Sequence, residues 1–296
     1  LKKGSLIYVR ERADGCLVLD PQFAVEVTPE TTIKISKRLE DDILSSYLLG
    51  YEVVTIEASK LTAEHKERIR YAVNRLVGVE IIEEDEKKVV LQCLLKPTAF
   101  PPEKILRREY VLSASMFKEV FESFLNNDLQ LAKSLLEKDE EIDRLYFLLV
   151  RLLRSLILNP RLSEKLNISL IDCLDYRLIA SLIENIADRS VELANYIVEA
   201  NSYKLQPKIV EQAKKVKENI QATYEEIIKA IFSKDPKILS EAMDKRREAE
   251  ENIKRLEEDL GKEKNLDSRL TYNFLSFIHR VMDHLKDMID LVTTIR

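Results

Sequence analysis

The pattern of apolar and polar positions changes near residue 95. Before it, short runs alternate with a period of two or carry brief helical stripes, whereas from residue 113 to residue 296 apolar positions recur at spacings of three and four. The first pattern is typical of strands with short helices, and the second is typical of long amphipathic helices. The chain is therefore predicted to be mainly α-helical, with a smaller α/β part in front.

The helical part is divided by prolines rather than by glycines. Pro160, Pro207 and Pro236 interrupt it, and no glycine lies between Gly78 and Gly261, although tight turns usually need glycine. This pattern favours helix bundles with short joints. Helices are predicted at 114–126, 129–158, 167–201, 207–232, 236–260 and 266–295. Together they predict two tandem three-helix bundles set end to end, at 113–204 and 205–296.

The first third of the chain predicts a small α/β domain at residues 23–105. TIKIS and EVVTIEA read as strands, EDDILSSYLLGY and TAEHKERIRYAVNRLVG as helices, and VEIIEED with KKVVLQCLL as a final hairpin. The order is β-α-β-α-β-β, Thr62 is the expected N-cap of the second helix, and no glycine-rich phosphate loop accompanies the pattern. Pro97, Pro101 and Pro102 predict a linker to the bundles.

A β-hairpin is predicted at residues 1–22, where SLIYVRE and CLVLD flank an Ala-Asp-Gly turn. Two strands alone are marginally stable in water. The hairpin is therefore expected to pair with residues upstream of Leu1, with a second chain or with the next domain. Because the sequence begins without Met and without a signal-peptide pattern, we expect upstream residues.

Composition narrows the classes of function. The net charge of −5 argues against a surface wholly coated by nucleic acid, although a local basic patch is compatible with it. The three cysteines, Cys16, Cys93 and Cys173, form no CxxC pair, which favours a reducing compartment over a disulfide framework. No apolar run reaches the about 18 residues of a membrane span. A cytoplasmic protein without a transmembrane segment is therefore predicted.

Acidic residues lie beside the apolar face of two predicted helices. Glu184 and Asp188 are one turn apart at the edge of the apolar stripe of LIENIADRSVELA. His279 and Asp283 have the same spacing and the same edge position in FLSFIHRVMDHLKDMIDLV. The similarity indicates a weak internal repeat.

Two further acids, Asp139 and Asp143, project within the apolar stripe of SLLEKDEEIDRLYFLLVRLL. A carboxylate buried between the helices of a bundle costs folding free energy unless it is paired, protonated or bound to a cation. Bundles build metal sites from facing carboxylates, and oxygen ligands with an occasional histidine suit Fe, Mn, Mg or Zn. The alternative is that these acids are solvated charges. In the second bundle EENIKRL resembles DEEIDRL and offers Glu250, with Asp244 or Glu248 as substitutes.

Three of these segments resemble the PhoU family. E-N-I-A-D-R-S at 184–190 resembles the acidic signature of the family, which runs roughly E-R-I-G-D-H-A, and D-E-E-I-D-R-L at 139–145 resembles the partner signature on the preceding helix. HRVMDH at 279–284 resembles a second copy, with His279 where the pattern has Glu. The resemblance covers residues 113–296, and its second repeat departs further from the pattern.

PhoU proteins are tandem three-helix bundles that act in the cytoplasm as negative regulators of phosphate uptake and of its signalling kinase. The resemblance implies a divalent or ferric metal ion, Fe, Zn, Mn or Mg, and a phosphate transporter or a signalling or transcription protein as partner. The metal ligands that it implies are Glu184 and Asp188 with Asp139 or Asp143 facing them, and a weaker second set of His279 and Asp283.

The N-terminal segment LKKGSLIYVRERADGCLVLDP resembles the latter half of a SpoVT/AbrB-like swapped-hairpin domain. That resemblance implies a homodimer of interleaved hairpins that binds DNA. Lys2, Lys3, Arg10 and Arg12 are then candidate contacts to DNA phosphates, and the alternative is that they are solvated hairpin charges. PhoU-like bundles behind such a hairpin look like an archaeal arrangement.

Three functions follow from these patterns. The first is a non-catalytic regulator of phosphate uptake and phosphate homeostasis with metal-binding bundles. The second is an AbrB-type transcription regulator that uses the bundles for effector sensing. The third, a carboxylate-bridged metalloenzyme, needs paired Glu-x-x-His ligands that these helices lack, and no HExxH motif, P-loop or nucleophile elbow is present. The first function is preferred, and it predicts no turnover.

Overall fold

The computed structural model describes residues 4, 7–11, 15–21, 28–96, 99–262 and 267–292. In that part of the chain six strands and short helices come first and long helices follow. The fold is mainly α-helical with a small sheet towards the N-terminus, which confirms the predicted fold class.

The N-terminal hairpin consists of β1 (Ile7–Glu11) and β2 (Leu17–Pro21), paired antiparallel with Val9 opposite Leu19. Its apolar side chains at Ile7, Val9, Leu17 and Leu19 are exposed. A two-stranded sheet with an uncovered apolar face needs a further partner to be stable.

The small α/β domain has the predicted β-α-β-α-β-β order. Its elements are β3 (Glu30–Lys34), α1 (Leu39–Leu48), β4 (Val53–Glu57), α2 (Ala63–Asn74), β5 (Val79–Glu84) and β6 (Lys88–Cys93). The sheet order is β3-β4-β6-β5, with β3 parallel to β4 and the other pairs antiparallel. Thr62 caps α2 as predicted, because its hydroxyl accepts the backbone N–H of His65 at 3.2 Å. Alternating residues such as Val54 and Ile56 bury one face of the sheet against both helices.

The long helices form the rest of the described chain. They are α3 (Pro102–Asn126), α4 (Leu129–Leu158), α5 (Pro160–Leu166), α6 (Leu170–Ala200), α7 (Pro207–Ser233), α8 (Pro236–Leu260) and α9 (Ser268–Asp290). Helices α3, α4 and α6 make the first bundle, and α7, α8 and α9 make the second. Among the described residues, no helix combines the length and the apolar character needed to cross a membrane.

The first helix of the bundles begins at Pro102, well before the predicted start at 114. Proline is favoured at the first helical position, because the N–H that it lacks would have no partner there and its fixed φ suits the helix. Pro160 likewise begins the short helix α5, and the side chain of Asn159 accepts the N–H of Leu162 at 3.3 Å. Pro102 of the predicted linker and Pro160 of the predicted break are therefore both helix starts, and Pro97 lies outside the described residues.

One continuous apolar core runs through both bundles. Phe117 of α3 stacks on Phe277 of α9 with ring centroids 5.7 Å apart, and Phe124 stacks on Phe274 at 3.7 Å. Phe121 meets the Phe274 ring edge-on at 5.2 Å. All three phenylalanines of α3 are buried in this shared core. The bundles therefore pack side by side through α9, which lies along α6 and reaches α3 with its phenylalanines, and the predicted end-to-end arrangement is wrong.

The α/β domain is held against α4 by a buried arginine. Arg151 of α4 donates to the backbone oxygens of Tyr47, Tyr51 and Gly50 at 2.6, 3.0 and 3.4 Å, and its guanidinium lies 4.8 Å from the centre of the Tyr47 ring. These oxygens lie at the C-terminal end of α1, where free carbonyls carry partial negative charge. Phe147 of α4 also packs against the core of the α/β domain.

Candidate metal centre

The acidic cluster consists of Asp139 and Asp143 on α4 and Glu184 and Asp188 on α6. Helices α4 and α6 pack against each other, and within each pair the acids are one turn apart. The four carboxyl groups are close enough for the charges of Asp139 and Asp143 to act on both Glu184 and Asp188. The structure therefore brings together the four acids of the first predicted set.

Burial and repulsion from neighbouring acids raise the pKa values of three of these carboxyl groups. Burial, then the charges of Asp188, Asp143 and Asp139, raise the pKa of Glu184 to about 7. Burial, then Asp139 and Asp143, raise the pKa of Asp188 to about 6. Burial, then Asp143, also raise the pKa of Asp139 above its ordinary value. Carboxylates that share a site cannot all be charged at neutral pH unless a cation compensates them.

Arg75 brings positive charge to the cluster from the α/β domain. Its Nη2 lies 2.7 Å from Oδ2 of Asp143, and its charge opposes the rise in the pKa of Asp139. The guanidinium also lies 5.8 Å from the Tyr71 ring centre and 5.7 Å from that of Phe147. Arg75 follows α2, so this ion pair links the α/β domain to the acids of α4.

A fifth acid, Glu109 of α3, is buried close enough to Glu184 to interact with its charge, and it was not predicted. It is 0% exposed, and no described residue offers a hydrogen bond to either of its carboxyl oxygens. Burial raises its pKa well above the ordinary value, and the charge of Glu184 adds to that rise. The signal was present in the sequence, since Glu109 interrupts an apolar stripe that continues the predicted helix towards its true start.

The carboxyl oxygens of these acids are the atoms that a hard cation prefers, but in the structure they do not surround a common point. Oδ1 of Asp139 and both oxygens of Glu109 are buried without a hydrogen-bond partner among the described residues. Buried oxygens in this condition need a proton or a cation, and an all-oxygen set suits Mg, Mn or Fe. In the described parts of the chain, however, no group of three or more His, Cys, Asp or Glu residues is arranged to hold a metal ion. A cation would have to draw these carboxylates together.

The second predicted set is not gathered in the same way. His279 of α9 contacts Glu257 of α8, with Nε2 2.5 Å from Oε1, and Asp283 is exposed one turn further along. Glu250, expected to serve this set, instead pairs with Arg246 on its own helix at 2.5 Å. The sequence did not indicate Glu257, because its pairing with His279 depends on how α8 and α9 pack.

The two substitute acids of the second bundle, Asp244 and Glu248, are exposed on α8. Asp244 lies 3.3 Å from Arg247 in a surface ion pair. Neither contributes a buried oxygen to a site.

The predicted DNA contacts fall largely outside the part of the chain that is described. Lys2, Lys3 and Arg12 are not among the described residues, and Arg10 is described only as backbone of β1. These contacts stay predictions.

The structure therefore belongs to a class of helical proteins with two three-helix bundles, in which an acidic cluster lies between two helices of one bundle. Residues 106–197 match the family described as PhoU domain, and this range contains the whole acidic cluster. No curated protein matches the chain.

Two solved structures have similar folds. The crystal structure of PhoU from Pseudomonas aeruginosa is 16% identical with a TM-score of 0.55, over 64% of this chain and 93% of that one. The crystal structure of the phosphate transport system regulatory protein PhoU from Streptococcus pneumoniae is 14% identical with a TM-score of 0.55, over 64% of this chain and 91% of that one. At these identities the matches show that the bundles have the PhoU fold.

Proposed function

We propose that this protein is a non-catalytic, PhoU-like regulator of phosphate uptake and phosphate homeostasis that acts in the cytoplasm. The observation that carries the proposal is the acidic cluster within residues 106–197, the part of the chain that matches the PhoU domain. Further support comes from the fold shared with a protein described as a phosphate transport system regulatory protein. A phosphate transporter, or a signalling protein associated with one, is the proposed partner.

The acidic cluster is the proposed binding site for a divalent or ferric ion. Asp139, Asp143, Glu184 and Asp188 supply the oxygen atoms, and a bound ion would offset the repulsion that raises the pKa values of Asp139, Glu184 and Asp188. Binding would change the charge on the face formed by α4 and α6. If the partner docks on this face, cation occupancy and partner affinity are coupled, and each must change the other by the same factor.

The exposed hairpin supports a proposed homodimer. Ile7, Val9, Leu17 and Leu19 present an uncovered apolar face that a second copy would bury. The same hairpin favours a second candidate function, a DNA-binding transcription regulator of the AbrB type whose bundles sense the effector.

Elemental analysis of the purified protein beside a Glu184→Ala/Asp188→Ala variant tests the metal site. We expect bound Fe, Mn or Zn in the wild type and its loss in the variant. Asp244→Ala/Glu248→Ala is the matched control, because it removes two exposed helical acids at the same spacing. Absence of metal from the wild type after incubation with Fe, Mn, Zn and Mg salts, with helical content unchanged, would refute metal binding.

The regulatory role needs a cellular measurement. Cells that lack this protein should take up more phosphate than the parent when phosphate is abundant, and the wild-type gene should restore the lower rate. Equal uptake in both strains would contradict regulation of phosphate uptake and would favour the transcription-regulator candidate, which predicts sequence-specific DNA binding by the full-length chain.

A further inference from the structure

Glu109 occupies a position where the fold gives it no partner. Two buried hydroxyl groups on α3 and α7 are already engaged: Tyr224 donates its hydroxyl hydrogen to Ser113 at 3.4 Å, and Ser113 donates its own to the backbone oxygen of Ile183 at 3.0 Å. Each hydroxyl has one hydrogen, so neither has one left for Glu109. Both carboxyl oxygens therefore remain without a donor among the described residues.

The positive charge near Glu109 does not supply a hydrogen bond either. Arg177 of α6 acts on both Glu109 and Glu184 as a positive charge. Its guanidinium lies over the Tyr146 ring, 4.7 Å from the centre, and makes no hydrogen bond to the Glu109 oxygens. An apolar side chain of similar length would fill the same space without the cost of burying a carboxyl group. A polar group kept under these conditions indicates a partner that is not part of the protein.

The location of Glu109 identifies that partner. Glu184 is the acid whose charge acts directly on Glu109, and Glu184 in turn interacts with Asp188, Asp143 and Asp139. Ser113, one turn along α3 from Glu109, donates to the backbone oxygen of Ile183, which places this stretch of α3 beside Glu184. The five acids therefore lie on α3, α4 and α6, with Glu109 fully buried and the other four partly buried. The first four acids come from α4 and α6 only, and Glu109 adds an acid from α3.

We propose that Glu109 is the innermost ligand of the cation held by the acidic cluster, so that all three helices of the first bundle contribute to the site. This inference rests on the proposed metal binding. The site then consists of five carboxyl groups without His or Cys, which is the chemistry of a hard, oxygen-coordinated ion such as Mn²⁺ or Mg²⁺. A cation bound there would connect α3, whose phenylalanines contact α9, with α4, which binds the α/β domain through Arg151.

Titration of the full chain with Mn²⁺ tests the assignment, with free Mn²⁺ followed by electron paramagnetic resonance. The variants are Glu109→Met, which keeps the length and removes the oxygens, and Glu109→Gln, which keeps the size and removes the charge. Ser113→Ala is the matched control, since it removes a buried polar group one turn away on the same helix. We expect Mn²⁺ affinity to fall by about tenfold or more in Glu109→Met and by a smaller factor in Glu109→Gln, and to change by less than about twofold in Ser113→Ala.

Thermal unfolding in the presence of a chelator separates binding from folding. The metal-free Glu109→Met variant should unfold at a temperature equal to or above that of the wild type, because an unpartnered buried carboxyl has been removed. Wild-type Mn²⁺ affinity in a folded Glu109→Met variant would overturn the assignment and leave Glu109 as a buried acid with a water partner. If Glu109→Met does not fold, unchanged affinity in Glu109→Gln overturns it instead. No binding of Mn²⁺, Mg²⁺, Fe or Zn by the wild type would refute the proposed metal site itself, and the inference with it.

Discussion

Replacement of Arg151 by methionine should release the α/β domain from α4. Arg151 is buried and donates to three backbone oxygens, two of them at 2.6 and 3.0 Å. Hydrogen bonds from a charged donor contribute about 1.5–3 kcal/mol each, and its position over the Tyr47 ring adds about 1 kcal/mol. Methionine restores part of the packing, and water reaches part of the freed carbonyls. The expected loss of free energy is therefore about 3–5 kcal/mol, and it weakens the docking of the α/β domain on α4.

Hydrogen exchange measured by mass spectrometry detects this loss of stability separately in each helix. Amides of α1 should exchange about a hundredfold faster or more in Arg151→Met, while amides of α7 keep their wild-type protection. Arg154→Met is the control, because Arg154 is exposed on the same helix and donates to the neighbouring backbone oxygen of Leu48 at 3.1 Å. That variant should lose less than about 1 kcal/mol. Equal and small effects of the two substitutions would refute the reasoning that burial makes Arg151 the anchor.

Three further predictions concern the cluster and the shared core. Arg75→Gln should raise the affinity of the cluster for Mn²⁺ by about three- to tenfold, because it removes a positive charge that competes with the ion. The control Arg108→Gln breaks a surface ion pair with Glu141 of α4 and should leave the affinity unchanged. Equal Mn²⁺ affinities in the wild type and Arg75→Gln would exclude this competition. Because the folded pKa values of Glu184 and Asp188, about 7 and 6, lie above their ordinary 4.5 and 3.8, the metal-free protein should lose stability as pH rises from about 4 to about 7. Thermal melts with a chelator should show this slope in the wild type and a reduced slope in Glu184→Gln/Asp188→Asn, and an unchanged slope would contradict the pKa shifts. Phe274→Ala should cost about 3–5 kcal/mol in urea unfolding, and a cost below about 1 kcal/mol would show that the phenylalanine contacts do not join the bundles.

The sequence predicted the features that depend on local spacing. Within each pair the two acids lie one turn apart, on helices α4 and α6 that follow each other through the short helix α5. Their positions on the two helices therefore followed from periodicity. Glu109 was missed for a local reason as well. Pro101 and Pro102 were interpreted as a linker, and the helix was therefore started too late to include it, although Ile105, Leu106, Glu109 and Met116 share the spacing of one helical face.

Other contacts could not be predicted, because they join elements that are distant in sequence. The ion pair of Arg75 with Asp143 and the contact of His279 with Glu257 depend on which faces of separate helices meet. The side-by-side packing of the bundles depends on the same information. Periodicity identifies an apolar face, but it does not say which of several apolar faces will cover it.

The phenylalanines of α3 limit which fragments of the chain would fold without exposing apolar surface. Residues 106–197 match a domain family, yet Phe117, Phe121 and Phe124 within that range are covered by rings of α9. A fragment cut at the end of the first bundle would expose three large aromatic side chains to solvent and would associate or aggregate rather than remain a monomer. A fragment that keeps these rings covered must therefore contain both bundles, and its boundaries are wider than those of the family match.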